Sequence, residues 1–189
     1  MSCTTPPQEN DMDTMIGLLR GINVGGHNKL PMREFVDTLS GLGFRNIETY
    51  IQSGNVVFEC DEGRKIELAN QIRDAIHQSH GFTPDVMLLS SEELDEAILT
   101  NPFPEAEDAP KTLHFYFLDS EPQDPDMQRI EEMKSGRENY ALIGKIFYLH
   151  APDGIGRSKL AARVEKALGV SVTARNWRTV LKINEMAKR

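Results

Sequence analysis

Cysteine is nearly absent from this chain: there are two in 189 residues, Cys3 and Cys60, far apart and without a CxxC partner. That excludes a disulfide framework and a cysteine-based zinc site, and it fits a reducing cytoplasm. Long apolar runs are missing too. No stretch approaches the roughly 18 consecutive apolar residues of a membrane span. The first 14 residues, MSCTTPPQENDMDT, have no basic start followed by an apolar run, so no signal peptide is expected. This opening segment is polar and contains proline, which predicts a disordered extension over residues 1–14. Catalytic signatures are equally scarce. No carboxylate pair stands out as general acid and base, Ser53 lacks a nucleophile-elbow context, and His27, His114 and His150 are isolated in sequence. His77 and His80 lie three apart on a helical pattern, but no further Cys, His or acid stands at ligand spacing, so no metal site is expected.

What is present is ordinary for a globular protein: 39% hydrophobic and 26% charged residues, enough to bury a core without staples. The net charge of −8 argues against a nucleic-acid coat or a membrane-surface protein. Its distribution is uneven. Residues 156–189 hold nine Lys and Arg against two acids, Glu165 and Glu185, a local charge of +7 on an otherwise acidic body.

Two segments, Tyr50-Ile51-Gln52-Ser53-Gly54-Asn55-Val56-Val57-Phe58 and Tyr140-Ala141-Leu142-Ile143-Gly144-Lys145-Ile146-Phe147-Tyr148, align at a constant offset of 90 residues, Tyr on Tyr and Gly on Gly. Each reads as strand, Gly-containing turn, strand. Around the first, Met15–Arg20 is a short buried strand and Pro31 opens a helix carrying Phe35, Val36, Leu39 and Leu42. A second helix runs from about Arg64 to Ser79, and Val86–Leu89 is a further strand. Around the second, Leu113–Leu118 is a strand, Pro125–Lys134 a helix, 157–168 a helix stopped by Gly169, and Val170–Thr173 a strand. A last helix starts at Asn176. The expected fold class is α+β: duplicated ferredoxin-like (βαββαβ) units plus a C-terminal helix, with the first unit over 15–100, a linker over 101–110 and the second unit over 111–189.

In a split βαβ unit the loop after the first strand and the hairpin between strands two and three share one end of the sheet. That groups Arg20, Gly21, Asn23, Gly25, Gly26 and Lys29 with Gln52, Ser53 and Asn55. Three glycines ahead of a helix can turn backbone N–H groups toward an anion, and Lys29 adds charge. The spacing matches neither GxxxxGK[ST] nor GxGxxG, and the competing interpretation is a tight loop whose glycines supply positive φ. In the second half, Gly154 and Gly156 free the backbone before a helix that begins Arg157-Ser158-Lys159, and Arg175-Asn176-Trp177-Arg178 enters the next one. These four cations, with the Ser158 hydroxyl, are the sharper anion-site candidate. Against it, Ser158 and Asn176 suit helix caps and Trp177 suits an apolar stripe with Val180 and Leu181.

Four strings, Leu18–Gly26, Tyr50–Phe58, Gly154–Leu160 and Ala174–Val180, together resemble the bacterial domain-of-unknown-function 1697 family, over about Met15 to Lys188. The resemblance implies an α+β protein with no assigned reaction, so it brings no catalytic residues and no cofactor. The polar residues of the four strings fall on the loops named above.

The leading expectation is therefore a cytoplasmic protein that binds an anionic small molecule, a nucleotide or phosphorylated metabolite, through those loops. Two rivals remain. One is an RNA-binding module of RRM type, with Phe58 or Phe147 on a central strand, although 53–58 matches an RNP1 string poorly. The other is a ligand-free scaffold or dimerisation protein.

Overall fold

The computed structural model describes residues 12–61 and 63–189. The extension expected over 1–14, and with it Cys3, lies largely outside them; the first strand begins at Asp13. The first unit comprises β1 (Asp13–Arg20), α1 (Met32–Gly41), β2 (Arg45–Tyr50), β3 (Asn55–Cys60), α2 (Lys65–His80) and β4 (Asp85–Ser90), followed by α3 (Ser91–Leu99). A 3-10 turn at Pro104–Ala106 crosses to the second unit, which comprises β5 (Leu113–Leu118), α4 (Met127–Met133), β6 (Asn139–Ile143), β7 (Ile146–His150), α5 (Lys159–Leu168) and β8 (Val172–Asn176). α6 (Trp177–Ala187) closes the chain. The two sheets have the orders β2-β3-β1-β4 and β6-β7-β5-β8, every neighbouring pair antiparallel, so each unit has ferredoxin-like topology.

Strand alternation explains how the two sheets are layered. In β1, Met15 and Leu19 point to the helices of their own unit, where Phe35, Leu39, Ile72 and Ile76 meet them. Ile16 and Leu18 point the other way. They join Phe115, Phe117 and Tyr148 of the second sheet in a common core, filled out by Leu94 and Ala97 of α3 and by Trp177, Val180 and Ile183 of α6. The far face of the second sheet, with Tyr116, Phe147 and Leu149, packs on Ile130, Leu160 and Val164 of α4 and α5. The sheets stay separate and share a core, with both faces of each covered. α3 is fixed at its start by a capping box in which Ser90 accepts from Glu93 N while Glu93 accepts from Ser90 N. At its end, the buried Tyr148 hydroxyl donates to Ala97 O at 2.9 Å.

The repeat needs one correction. At an offset of 90, Phe58 aligns with Tyr148, yet Phe58 faces its own helices and Tyr148 faces the common core. The equivalent strands are right and the register is shifted by one residue, which in a strand exchanges every side chain between faces. The turns account for the slip. Four residues, 51–54, join β2 to β3, whereas Gly144 and Lys145 alone join β6 to β7. Tyr50 accordingly ends β2 and packs on the common core, while Tyr140 stacks on Phe147, centroids 5.5 Å apart, on the opposite face.

Candidate functional site

The first-unit loop is held by its own side chains. Gly21 turns the chain out of β1 at φ 79°, Ile22 returns to the core, and Asn23 sits at φ 54°. The Asn23 carboxamide accepts from Leu30 N at 2.8 Å and donates to Leu30 O and to Gln52 O, both at 3.0 Å. Asn28 donates to Gly21 O at 2.8 Å. The Gly21–Lys29 loop and the Gln52–Asn55 turn are thus in contact at one end of the sheet, as strand direction requires. The turn has an anchor of its own in Asn55, fully buried, whose amide donates to Tyr50 O at 3.1 Å and to Ser53 Oγ at 2.9 Å. These bonds hold Ile51, a β-branched residue, at φ 50° with half of its surface exposed, a conformation that persists only where the surroundings impose it.

Facing this end is the entry to α5. A 3-10 turn over Ile155–Arg157 leads to Ser158, whose hydroxyl accepts from Ala161 N at 2.9 Å and caps the helix. Between the two walls lies a cleft of about 610 Å³, to which the first unit contributes Arg20, Gly21, Ile22, Val24 and Ser53 and the second Tyr116, Gly156, Ser158, Ala161, Glu165 and Arg175. Parts of the two loop clusters therefore line one cleft.

Two arginines behave differently here. Arg20 is occupied: it meets Glu165 through two contacts, Nη1–Oε1 at 2.5 Å and Nη2–Oε2 at 2.7 Å, and donates to Val172 O at 3.0 Å. The hydrogen-bonded carboxylate raises the Arg20 pKa above its ordinary value, and Arg20 lowers that of Glu165. Arg175 has no acid. Its Nε donates to Asn55 Oδ1 at 2.5 Å, Nη1 to Ala174 O at 2.9 Å, and Nη2 to Leu19 O and Ser53 O at 2.8 and 3.1 Å. No ion pair forms at Arg175 among the described residues. Burial pushes its guanidinium pKa down to about 10, so it remains charged at neutral pH.

Of the residues singled out in the sequence, Arg20, Gly21, Ser53, Ser158 and Arg175 line the cleft. Asn23, Gln52 and Asn55 support its walls from behind. Gly25, Gly26, Lys29, Arg157 and Arg178 are exposed and outside the lining, and Lys159 lies in a separate groove with Asp126, Arg129 and Arg163. Asn176 caps α6, its side chain accepting from Thr179 N at 2.9 Å. Trp177 is buried in the common core, its ring centroid 5.3 Å from that of Phe115. Sequence reasoning missed Glu165 and Tyr116. For Glu165 a signal existed: it is one of two acids in the basic C-terminal quarter, and both are paired with cations, Glu185 with Lys182 and Arg189.

Fold and cleft together define a duplicated ferredoxin-like α+β protein with a cationic cleft between its units. The chain belongs to the family described as "Protein of unknown function (DUF1697)", whose model matches residues 12–148. The strings at Gly154–Leu160 and Ala174–Val180 lie beyond that match. Among solved structures it is similar to a conserved bacterial protein from Streptococcus pneumoniae, with 28% identity and a TM-score of 0.71 over 93% of this chain and 99% of that one. No curated protein matches it.

Proposed function

We propose that the protein binds an anionic small molecule in the cleft between its two units. The observation that carries this reading is Arg175, a half-buried guanidinium on the cleft wall with no carboxylate paired to it among the described residues. A charge partly withdrawn from water without a counter-charge is costly, and an anion entering the cleft would supply one. Ser53 and Ser158 add hydroxyls on the two walls, and a volume of about 610 Å³ suits a small molecule. The RRM alternative has less support: Phe58 and Phe147 are fully buried, both sheets are covered on both faces, and the chain is acidic overall. A bacterial cytoplasmic setting accords with the bacterial relative and with the free, buried Cys60 thiol. Calorimetric titration with phosphate, nucleotides and carboxylates tests the reading. Saturable binding that weakens when Ala162→Glu places a negative charge on the cleft wall supports it. No binding of any of these anions at millimolar concentration refutes it.

A further inference from the structure

Counting the charges that reach the cleft narrows the kind of anion. Among the described residues three ionisable side chains of fixed charge line it: Arg20, Glu165 and Arg175. Arg20 and Glu165 cancel through their paired contacts, and Arg20 spends a further donor on Val172 O. One positive charge is left. The cations that could have made a polyanion site, Lys29, Arg157, Lys159 and Arg178, are exposed and lie outside the cleft lining.

Arg175 is also short of free donors. A guanidinium has five N–H groups. Four of them are directed at Asn55 Oδ1, Ala174 O, Leu19 O and Ser53 O. The one that remains is on Nη1, so the parallel two-bond fork by which arginine grips phosphate is not on offer. Apart from Ser53, Ser158 and Tyr116, the rest of the lining is mostly apolar. Ile22, Val24, Ile155, Ala161 and Val164 line the cleft, and Val24 exposes 66% of its surface.

Resting on the anion-site reading above, we infer that the ligand is a monoanion with an apolar body, of the monocarboxylate class, whose charged end takes the free Arg175 Nη1–H and whose body lies along the Ile22, Val24 and α5 wall. A nucleotide or phosphorylated metabolite, the expectation from sequence, fits the charge count poorly. A phosphate monoester carries a charge near −2 at neutral pH and presents three acceptor oxygens to a wall with a single free cation donor.

The test is calorimetry with hexanoate, 1-hexanol, inorganic phosphate and adenosine monophosphate, on the wild type, Glu165→Gln and Ala162→Glu. Both positions are solvent-accessible on α5, so the variants should keep the fold that an Arg175 substitution could lose. Hexanoate should bind the wild type more tightly than 1-hexanol and than either phosphate compound, by about 10- to 100-fold, the worth of one charge-assisted hydrogen bond. Glu165→Gln releases Arg20 and should raise phosphate affinity relative to hexanoate; Ala162→Glu should weaken hexanoate. If phosphate or adenosine monophosphate binds the wild type more tightly than hexanoate, the monoanion inference fails while the anion site stands. An unchanged phosphate-to-hexanoate ratio in Glu165→Gln also overturns the inference. Equal affinity for hexanoate and 1-hexanol overturns both, and so does the absence of binding by any anion.

Discussion

Arg175 Nε donates to Asn55 Oδ1 at 2.5 Å, joining residues 120 apart in the chain and bridging the last strand of the second sheet to the hairpin of the first. The same guanidinium reaches Leu19 O and Ser53 O, so one side chain ties the ends of both sheets together beside the cleft.

Replacing Arg175 should therefore destabilise the whole protein. Arg175→Ala leaves the fully buried Asn55 without its donor and strips two backbone carbonyls of the first unit. We expect a loss of about 2–4 kcal/mol, from several interactions each worth about a kcal/mol or more once their partners are stranded. Arg175→Lys should recover little, because an ammonium cannot reproduce the planar spread of donors. Urea denaturation gives the answer, and a midpoint equal to the wild type's would show that the bridge contributes nothing net.

The two hairpin glycines should respond differently to the same substitution. Gly54 lies at φ 72°, and an added Cβ would sit 2.6 Å from Leu19 Cβ and 2.8 Å from Ile22 Cδ1. Gly144 lies at φ 54° with nothing within 4 Å. Gly144→Ala should cost about 1–2 kcal/mol, the left-handed penalty alone. Gly54→Ala should cost clearly more, because the backbone must move as well. Comparable unfolding midpoints for the two variants would contradict the packing at Gly54.

His114 should make stability fall on mild acidification. It is buried, its Nδ1 has no hydrogen-bond partner among the described residues, and desolvation holds its pKa below the ordinary value of 6.5. The unfolded chain takes up the proton first, so stability is full above pH 6.5 and declines as the pH drops from there toward the folded pKa. His114→Phe should flatten that slope. Unfolding free energies measured from pH 5 to 8 in both proteins test it, and a persisting slope in the variant would assign the effect to another group.

The Arg20–Glu165 pair gives a second, more acidic slope. Arg20 depresses the Glu165 pKa, so the pair's contribution is present above the unfolded carboxylate value and is lost as pH falls through the folded one. With the side chains 41% and 38% exposed, screening limits the contribution to about 1 kcal/mol or less. Glu165→Gln should remove it, and high salt should shrink it in the wild type. A wild type whose stability between pH 3 and 5 matches that of Glu165→Gln, at low salt, would show the pair to be energetically idle.

The local pattern was legible in the chain. Met15–Arg20 and Leu113–Leu118 read as strands because short apolar runs end at turn signals, and the Pro31 helix start carried its own chemistry. The contact between the Gly21–Lys29 loop and the Gln52–Asn55 turn followed from strand direction alone. Register did not follow. A match of Tyr on Tyr and Gly on Gly is blind to turn length, and the four-residue and two-residue hairpins exchange the faces of Phe58 and Tyr148. Nor did the site. Nine cations in the C-terminal quarter are alike in sequence, yet Lys182 pairs with Glu185 three residues on while Arg175 is held by groups more than a hundred residues away. Arg20 is neutralised by Glu165 across 145 residues, and Arg175 is committed to carbonyls of the first unit across as many as 156. Propensity and periodicity act over a few residues, so the sequence determined the strands, helices and turns. The packing of two separately folded sheets on one core decided which charge was left facing the cleft.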